Sequence, residues 1–396
     1  MSRKRSGSAL PGLALALVLA ALVPFGRLEG RPRPSPTPAP TPPSAPGAAD
    51  GDAERGPEDL PEGDCFSPGR AESRLVVPRT RIERFSIPVV DTHSHAYAET
   101  SEQVDAWVAL MDRVGVRQSL ILTGETGAKF RELSARYAGA HPGRFLMGAG
   151  MVKENPDAPD YGERLRRAVR DDAAAGAVAL GELTDKGRGL VQAGDRAVFI
   201  DDPRFDPLWD EAGRVGLPVF VHIAEPAAFY DAPDGKNELR RSGNWSLYEK
   251  GTPGFEALLE KFERVLSRHP HTRVVAVHAF NLANDLGRVG QLLDRHPNVQ
   301  VDFAARMWEL ARQPFTARRF FDAHADRILF GTDNDPVFGM YAAHVRQLET
   351  EDEWFWPADA EWWRGYGMGL PEDVLVKVYS GNAERLLSAG AASSSR

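Results

Sequence analysis

At 396 residues, 42% of them hydrophobic and 26% charged, the chain has a globular composition and room for one large domain or two ordinary ones. A formal net charge of −8 and the lack of any basic stripe exclude nucleic acid as an expected partner. The single cysteine, Cys65, excludes an internal disulfide.

Residues 1–26, MSRKRSGSALPGLALALVLAALVPFG, open on basic residues and continue into an apolar core from Gly12 to Val23. That core falls in the roughly 7–15 residue range of an export signal. It is short of the roughly 20 apolar residues that a spanning helix needs. The expected location is therefore outside the cytoplasm, periplasmic or extracellular. No small-x-small cleavage site follows, so an uncleaved anchor tethering the chain to a membrane is the alternative. Residues 27–80 read as a linker. Half of residues 31–46 are proline, which favours an extended polyproline tether, and Asp50–Asp64 is acidic and glycine-rich. Such a segment cannot bury enough apolar surface to fold, and disorder is expected. The folded domain is assigned to residues 81–390.

From Ile82 the pattern becomes periodic. The run SIPVVDTH reads as a strand. In the following TSEQVDAWVALMDRVGV, Val104, Trp107, Val108, Met111 and Val114 share one helical face, and Thr100 with Gln103 forms a capping box. Further strand-like runs are QSLIL, FLMGAG, AVALGEL, LPVFVHI, RVVAVHAF, VQVDFAA and RILFGTD, separated by amphipathic stretches such as YGERLRRAVRDDAAAG and FEALLEKFERVLSRHP. Continuous apolar strands imply helices on the covered face. Eight β-then-α units over about 300 residues predict an α/β fold of the (β/α)8, or TIM-barrel, type. A doubly wound open sheet is the alternative, weakened by the lack of a glycine-rich phosphate loop.

In such barrels the chemistry sits at the C-terminal ends of the strands. The first strand ends in His93 and His95, two apart and so on one side of the chain. The fourth ends in Glu182, the fifth in His222, the sixth in His278 and the eighth in Asp333. Polar groups gathered at the rim of a packed barrel need a common partner. This nitrogen and oxygen donor set suits a divalent metal, zinc first, with manganese or iron as alternatives. His141, His269, His271, His296, His324 and His344 follow no strand and read as surface or satisfied core residues.

DTHSH, VHIAEP, AVHAF, LFGTDND and YSGNAERLL, spread from Val89 to Leu387, together resemble the amidohydrolase superfamily. More narrowly the chain resembles the amidohydrolase-related branch that contains aminocarboxymuconate-semialdehyde decarboxylase. The resemblance implies that His93, His95, His222 and Asp333 hold one metal and that His278 orients water or polarises the substrate. Glu182 stands where binuclear members carry a bridging group, which leaves a second metal as an alternative. A metal would bring the pKa of its water towards about 7. Asp333 is then the general base, and the metal with His278 stabilises the oxyanion. The first expectation is hydrolysis of a small-molecule amide, ester or lactone. The alternative is a metal-dependent non-oxidative decarboxylase or other lyase, and a third reading is a tethered barrel that binds without turnover.

Loops after the fifth and eighth strands carry Phe229, Tyr230 and Trp245, and Trp354, Phe355, Trp356, Trp362 and Trp363. These aromatics are read either as a lid over the pocket or as packing of the loops onto the barrel or a second subunit of a homo-oligomer. Arg306 is read as a ligand for a substrate carboxylate or as the partner of Asp302 or a loop acid.

Overall fold

The computed structural model describes residues 74–238, 246–357 and 363–391. The signal or anchor expected in residues 1–26, the linker up to residue 73, Trp245 and Trp362 lie outside the described residues. Among the described residues no helix is long and apolar enough to cross a membrane.

Eight parallel strands pair in sequence order: β1 (Val89–Ser94), β2 (Val116–Leu122), β3 (Phe145–Ala149), β4 (Ala179–Asp185), β5 (Val219–Ile223), β6 (Val274–Ala276), β7 (Val299–Asp302) and β8 (Ile328–Leu329). Past the short β8, the last strand returns to the first. Thr92 N–H donates to Phe330 O at 2.9 Å and Asp333 N–H to His93 O at 2.8 Å. That order and closure make the sheet a barrel, not a doubly wound sheet. Around it run α1 (Ser101–Val114), α2 (Gly127–Ser134), α3 (Tyr161–Ala174), α4 (Asp206–Val215), α5 (Phe255–Arg268), α6 (Leu286–Arg295), α7 (Met307–Arg312), α8 (Pro314–His324), α9 (Phe338–Glu349), α10 (Glu372–Val376) and α11 (Asn382–Ala391).

Each strand divides its apolar residues between two cores. Val89, Ile121, Val219, Val221, Val299 and Val301 pack with helical residues such as Val104, Trp107, Trp209 and Phe262. Val90, Leu120, Leu122, Phe220, Val275 and Leu329 form a separate cluster closed by Ala383 and Leu386 of α11. Side chains alternating between a helix-facing and an interior face produce this division. Helix α1 starts as its sequence predicts. Thr100 accepts from Gln103 N–H, the Gln103 side chain accepts from Thr100 N–H, and Val104, Trp107, Met111 and Val114 are buried, with Val108 half-buried. Gly115 ends it at φ +91°, a left-handed position where a side chain is strained.

One element was not foreseen. Val191–Ala193 and Arg196–Val198 form a two-stranded hairpin beyond β4, around the two-residue loop Gly194–Asp195. Buried Asp185 accepts from Gly187, Gly189 and Ile200 N–H groups and ties this excursion to the barrel.

The aromatic loop after β8 packs onto α7 and α9. Tyr366 N–H donates to Ala311 O and Met368 N–H to Gln347 O, and Phe355 is buried. Trp356 lies under the Arg364 guanidinium and Trp363 beside that of Arg312. In the loop after β5, the Tyr230 hydroxyl accepts from Glu225 N–H and donates to Lys186 O, joining the loops that follow β4 and β5.

Candidate metal centre

β1 delivers His93 fully buried at the barrel mouth. Its Nδ1–H donates to Asp302 Oδ2 of β7 at 2.9 Å, which fixes the ring so that Nε2 faces the mouth. Nε2 is buried and has no hydrogen-bond partner. It faces Glu182 Oε1 at 3.6 Å and Asp333 Oδ1 at 3.8 Å. Burial alone would lower the His93 pKa, but Asp302 and the two facing carboxylates push it up to about 10. A cation, proton or metal, therefore belongs between Nε2 and these oxygens. Gly331 makes room for the ring, since a Cβ there would stand 2.7 Å from His93 Cβ.

Two more histidines are set in the same way. His95 Nδ1–H donates to Leu122 O at 2.9 Å, and its Nε2 lies 3.1 Å from Asp333 Oδ1. His278 Nδ1–H donates to Ala304 O at 2.7 Å, and its Nε2 lies 3.4 Å from Glu182 Oε1. Burial and the neighbouring His222 push His278 down to about 4, so the ring is neutral at pH 7 and its Nε2 offers a lone pair.

His278 reaches this position by an unusual path. It lies two residues beyond the end of β6, in a turn where His278, Ala279, Phe280 and Asn281 all have positive φ, between 53° and 59°. Left-handed backbone costs roughly 1–2 kcal/mol per non-glycine residue, so surrounding bonds must hold such a run.

The two carboxylates close the cluster. Burial raises both, but His222 and His278 beside Glu182, His95 beside Asp333, and His93 near each hold both well below the usual carboxylate range. Donor atoms from His93, His95 and Asp333, and from His93, Glu182 and His278, lie within 4.8 Å of one another in each set. His222 stands beside them. Its Nδ1 is 3.0 Å from Glu182 Oε1 and 3.1 Å from His278 Nε2, while its buried Nε2 turns to Glu225 Oε2 at 3.6 Å.

A family model described as amidohydrolase matches residues 84–388. The chain belongs to the amidohydrolase family. Curated relatives of this amidohydrolase include a gamma-resorcylate decarboxylase of Rhizobium radiobacter, 25% identical over 297 residues, which span 70% of this chain and 84% of that one. Another, from Rhizobium sp. (strain MTP-10005), is 26% identical over 172 residues, 43% of this chain, so that the chain spans about half (47%) of that relative. Among solved structures, an uncharacterized TIM-barrel protein of Bordetella bronchiseptica aligns at TM-score 0.47 and 17% identity over 77% of this chain and 100% of that one. A 5-carboxyvanillate decarboxylase of Sphingomonas paucimobilis aligns at 0.45 and 14%, over 76% and 99%.

The donor set of this amidohydrolase fits a divalent cation. Three imidazole Nε2 atoms converge with two ionised carboxylates, and the orphaned Nε2 of His93 needs a partner. Arg306 does not point a free fork at the mouth. Nε donates to Asn281 Oδ1 at 3.0 Å, Nη2 bonds the same oxygen, and Nη1 donates to Ala305 O at 2.6 Å. The loop acid near it is Glu225, at 3.8 Å, while Asp302 is taken by His93 Nδ1–H and His278 N–H. Glu225 also pairs with Lys186 at 2.5 Å; burial raises its carboxyl, but His222 and Lys186 bring it down to about 2.

Asp302, Glu225, Asn281 and Asp91 were not anticipated as site residues. Asp91 accepts from His93 N–H and from Thr332 N–H and Oγ1–H, fastening the ends of β1 and β8 side by side. For Asp91 and Asp302 a signal existed: a charged residue inside an apolar strand must have partners.

One buried acid of this amidohydrolase lies apart from the cluster. On α7, Glu309 Oε2 has no hydrogen-bond partner, and burial pushes the carboxyl up to about 8 despite Arg306 and Arg312. Below about pH 4 the group is neutral folded or unfolded. As the pH rises from there through about 8, the unfolded chain ionises while the folded one does not, so stability falls. Glu309→Gln should therefore raise the melting temperature at pH 8.5 and leave it nearly unchanged at pH 4, as read by thermal unfolding at both values.

Proposed function

We propose that this amidohydrolase is a divalent-metal-dependent, non-oxidative carboxy-lyase acting on a small hydroxylated aromatic carboxylate. The reading is carried by the likeness to a gamma-resorcylate decarboxylase over most of the folded region, joined to two donor triads that share His93 and could hold a metal. Hydrolysis, the first expectation from the donor types, is the second reading, because Asp333 beside His95 can also take a proton from water.

His93, His95, Asp333 and Glu182 would hold the ion, zinc first, with His278 completing the ring of donors and His222 orienting Glu182. When bound, the metal supplies positive charge that draws an anionic substrate in among the carboxylates and stabilises charge developing on its oxygens. The chain's own residues do the rest. Asp333, with a side chain 23% exposed against 12% for Glu182, is the cluster's more open carboxylate and carries the proton. Ordinarily ionised, it is a scarce but strong acid when protonated, which suits proton delivery to a ring carbon. As that C–H bond forms and the carbon–carbon bond to the carboxylate breaks, the bonding pair restores the aromatic ring and carbon dioxide leaves. The Asp333 carboxylate then regains a proton from solvent. His278, tied through Nδ1–H to Ala304 O, presents its Nε2 to the cluster as a donor.

The test is a product assay. Metal-loaded protein is incubated with gamma-resorcylate and related hydroxybenzoates, and in parallel with small amides and lactones. Carbon dioxide with the decarboxylated phenol supports the reading; hydrolysis of the second panel alone overturns it.

A further inference from the structure

We infer that Arg306 and Asn281 form a clamp that positions His278, and that Arg306 serves the reaction through this clamp. The inference rests on the reading of His278 as part of the metal centre.

His278 leaves β6 through four successive left-handed residues, none of them glycine. His278 and Asn281 are of types that tolerate this conformation, but Ala279 and Phe280 are not, so the bonds around the turn must impose it. Asn281, the last of the four, is fully committed. Its Nδ2–H2 donates to Ile223 O at 3.0 Å and to Ala224 O at 3.1 Å, which pins the turn to the end of β5. Its Oδ1 accepts both Nε–H and Nη2–H of Arg306. Arg306 is in turn anchored by Nη1–H on Ala305 O and by the Glu225 carboxylate at 3.8 Å. Asn281 and Arg306 are 1% and 9% exposed. Nε and both terminal nitrogens each give a bond to a neighbour, so the guanidinium plane is held in place, and a buried guanidinium placed on a neutral amide fixes that amide's orientation. At the other end of the turn His278 N–H donates to Asp302 Oδ1 at 2.8 Å and Nδ1–H to Ala304 O at 2.7 Å. The turn is thus held at both ends, and Nε2 is left aimed into the cluster.

Three positioning variants test this. Asn281→Ala removes the whole clamp, Arg306→Met removes the fork at similar volume, and Arg306→Lys keeps the charge but cannot give two bonds to one oxygen. Histidine-selective 15N NMR of the metal-free protein reads the ring directly, with His278→Gln identifying the signal. The wild type should show one His278 species protonated at Nδ1. Asn281→Ala and Arg306→Met should show a mixture of tautomers or a split signal, with Arg306→Lys between. With gamma-resorcylate as probe and Zn2+ bound, kcat should fall about 100-fold with KM nearly unchanged, since a small misplacement of a reacting group costs about that much. An unaltered His278 signal in all three variants, or a loss confined to KM, overturns the clamp. Because the NMR arm needs neither metal nor substrate, it stands or falls separately from the lyase reading. Arg306→Lys serves where the other two fail to fold.

Discussion

His93→Ala protein, loaded with Zn2+ and freed of excess, should retain far less than one metal per chain and show no turnover above background. His93 belongs to both donor sets of the cluster, and its Nε2 is the one fully buried imidazole nitrogen there that faces two carboxylates without a hydrogen bond. Removing the ring leaves Glu182 and Asp333 facing each other across an empty space, with less to hold a cation. The companion variant is Asp302→Asn. An amide at this position no longer offers a charged acceptor to His93 Nδ1–H, so the metal should bind about 10–100-fold more weakly while the barrel stays folded, the usual effect of disturbing the group behind a metal-binding histidine. Metal analysis after dialysis and titration with a competing chelator measure both. Full metal occupancy in His93→Ala would mean that the cation sits elsewhere.

Asp333→Asn should behave differently. The amide keeps an oxygen in place but loses the charge and the proton site, so metal binding should weaken and kcat at saturating metal should fall by about 10²–10⁴, the range for loss of a general acid or base. Asp333 is the group to which His95 Nε2 and the Tyr97 hydroxyl converge, at 3.1 Å and 3.3 Å, and it is more exposed than Glu182. A proton carrier must reach solvent; a group serving only as ligand need not. Glu182→Gln is the control. It should weaken metal binding through its contacts with His93, His222 and His278, with a smaller loss of kcat at saturating metal. Equal losses in the two variants at full occupancy would remove the distinction between carrier and ligand.

Much of this fold was legible in the sequence because the strands are continuous apolar runs. Val89–Val90, Val219–Val221 and Val274–Val275 are buried on both faces, as in a parallel sheet covered by helices. His93, His95, Glu182, His222, His278 and Asp333 could be picked out because each interrupts or follows such a run, and the barrel does bring them together. What was not legible follows from geometry that periodicity does not encode. His278 does not extend from a strand; it hangs from a left-handed turn, HAFN, that contains no glycine to announce it. Arg306 is long enough to reach several partners, and only the structure shows that it settles on Asn281. The hairpin after β4 did carry a signal, Gly194–Asp195 between short β-prone segments, but its three-residue strands are shorter than any pattern would isolate.

The central claim is that this amidohydrolase breaks a carbon–carbon bond at a metal centre built on His93. Its most direct test is one incubation: Zn2+-loaded protein with gamma-resorcylate labelled with 13C at the carboxyl carbon, in D2O. The account predicts labelled carbon dioxide in step with a phenol that carries one deuterium at the carbon that lost the carboxylate, and neither product with His93→Ala. Unchanged labelled acid under these conditions, together with turnover of an amide or lactone by the same protein, would contradict it.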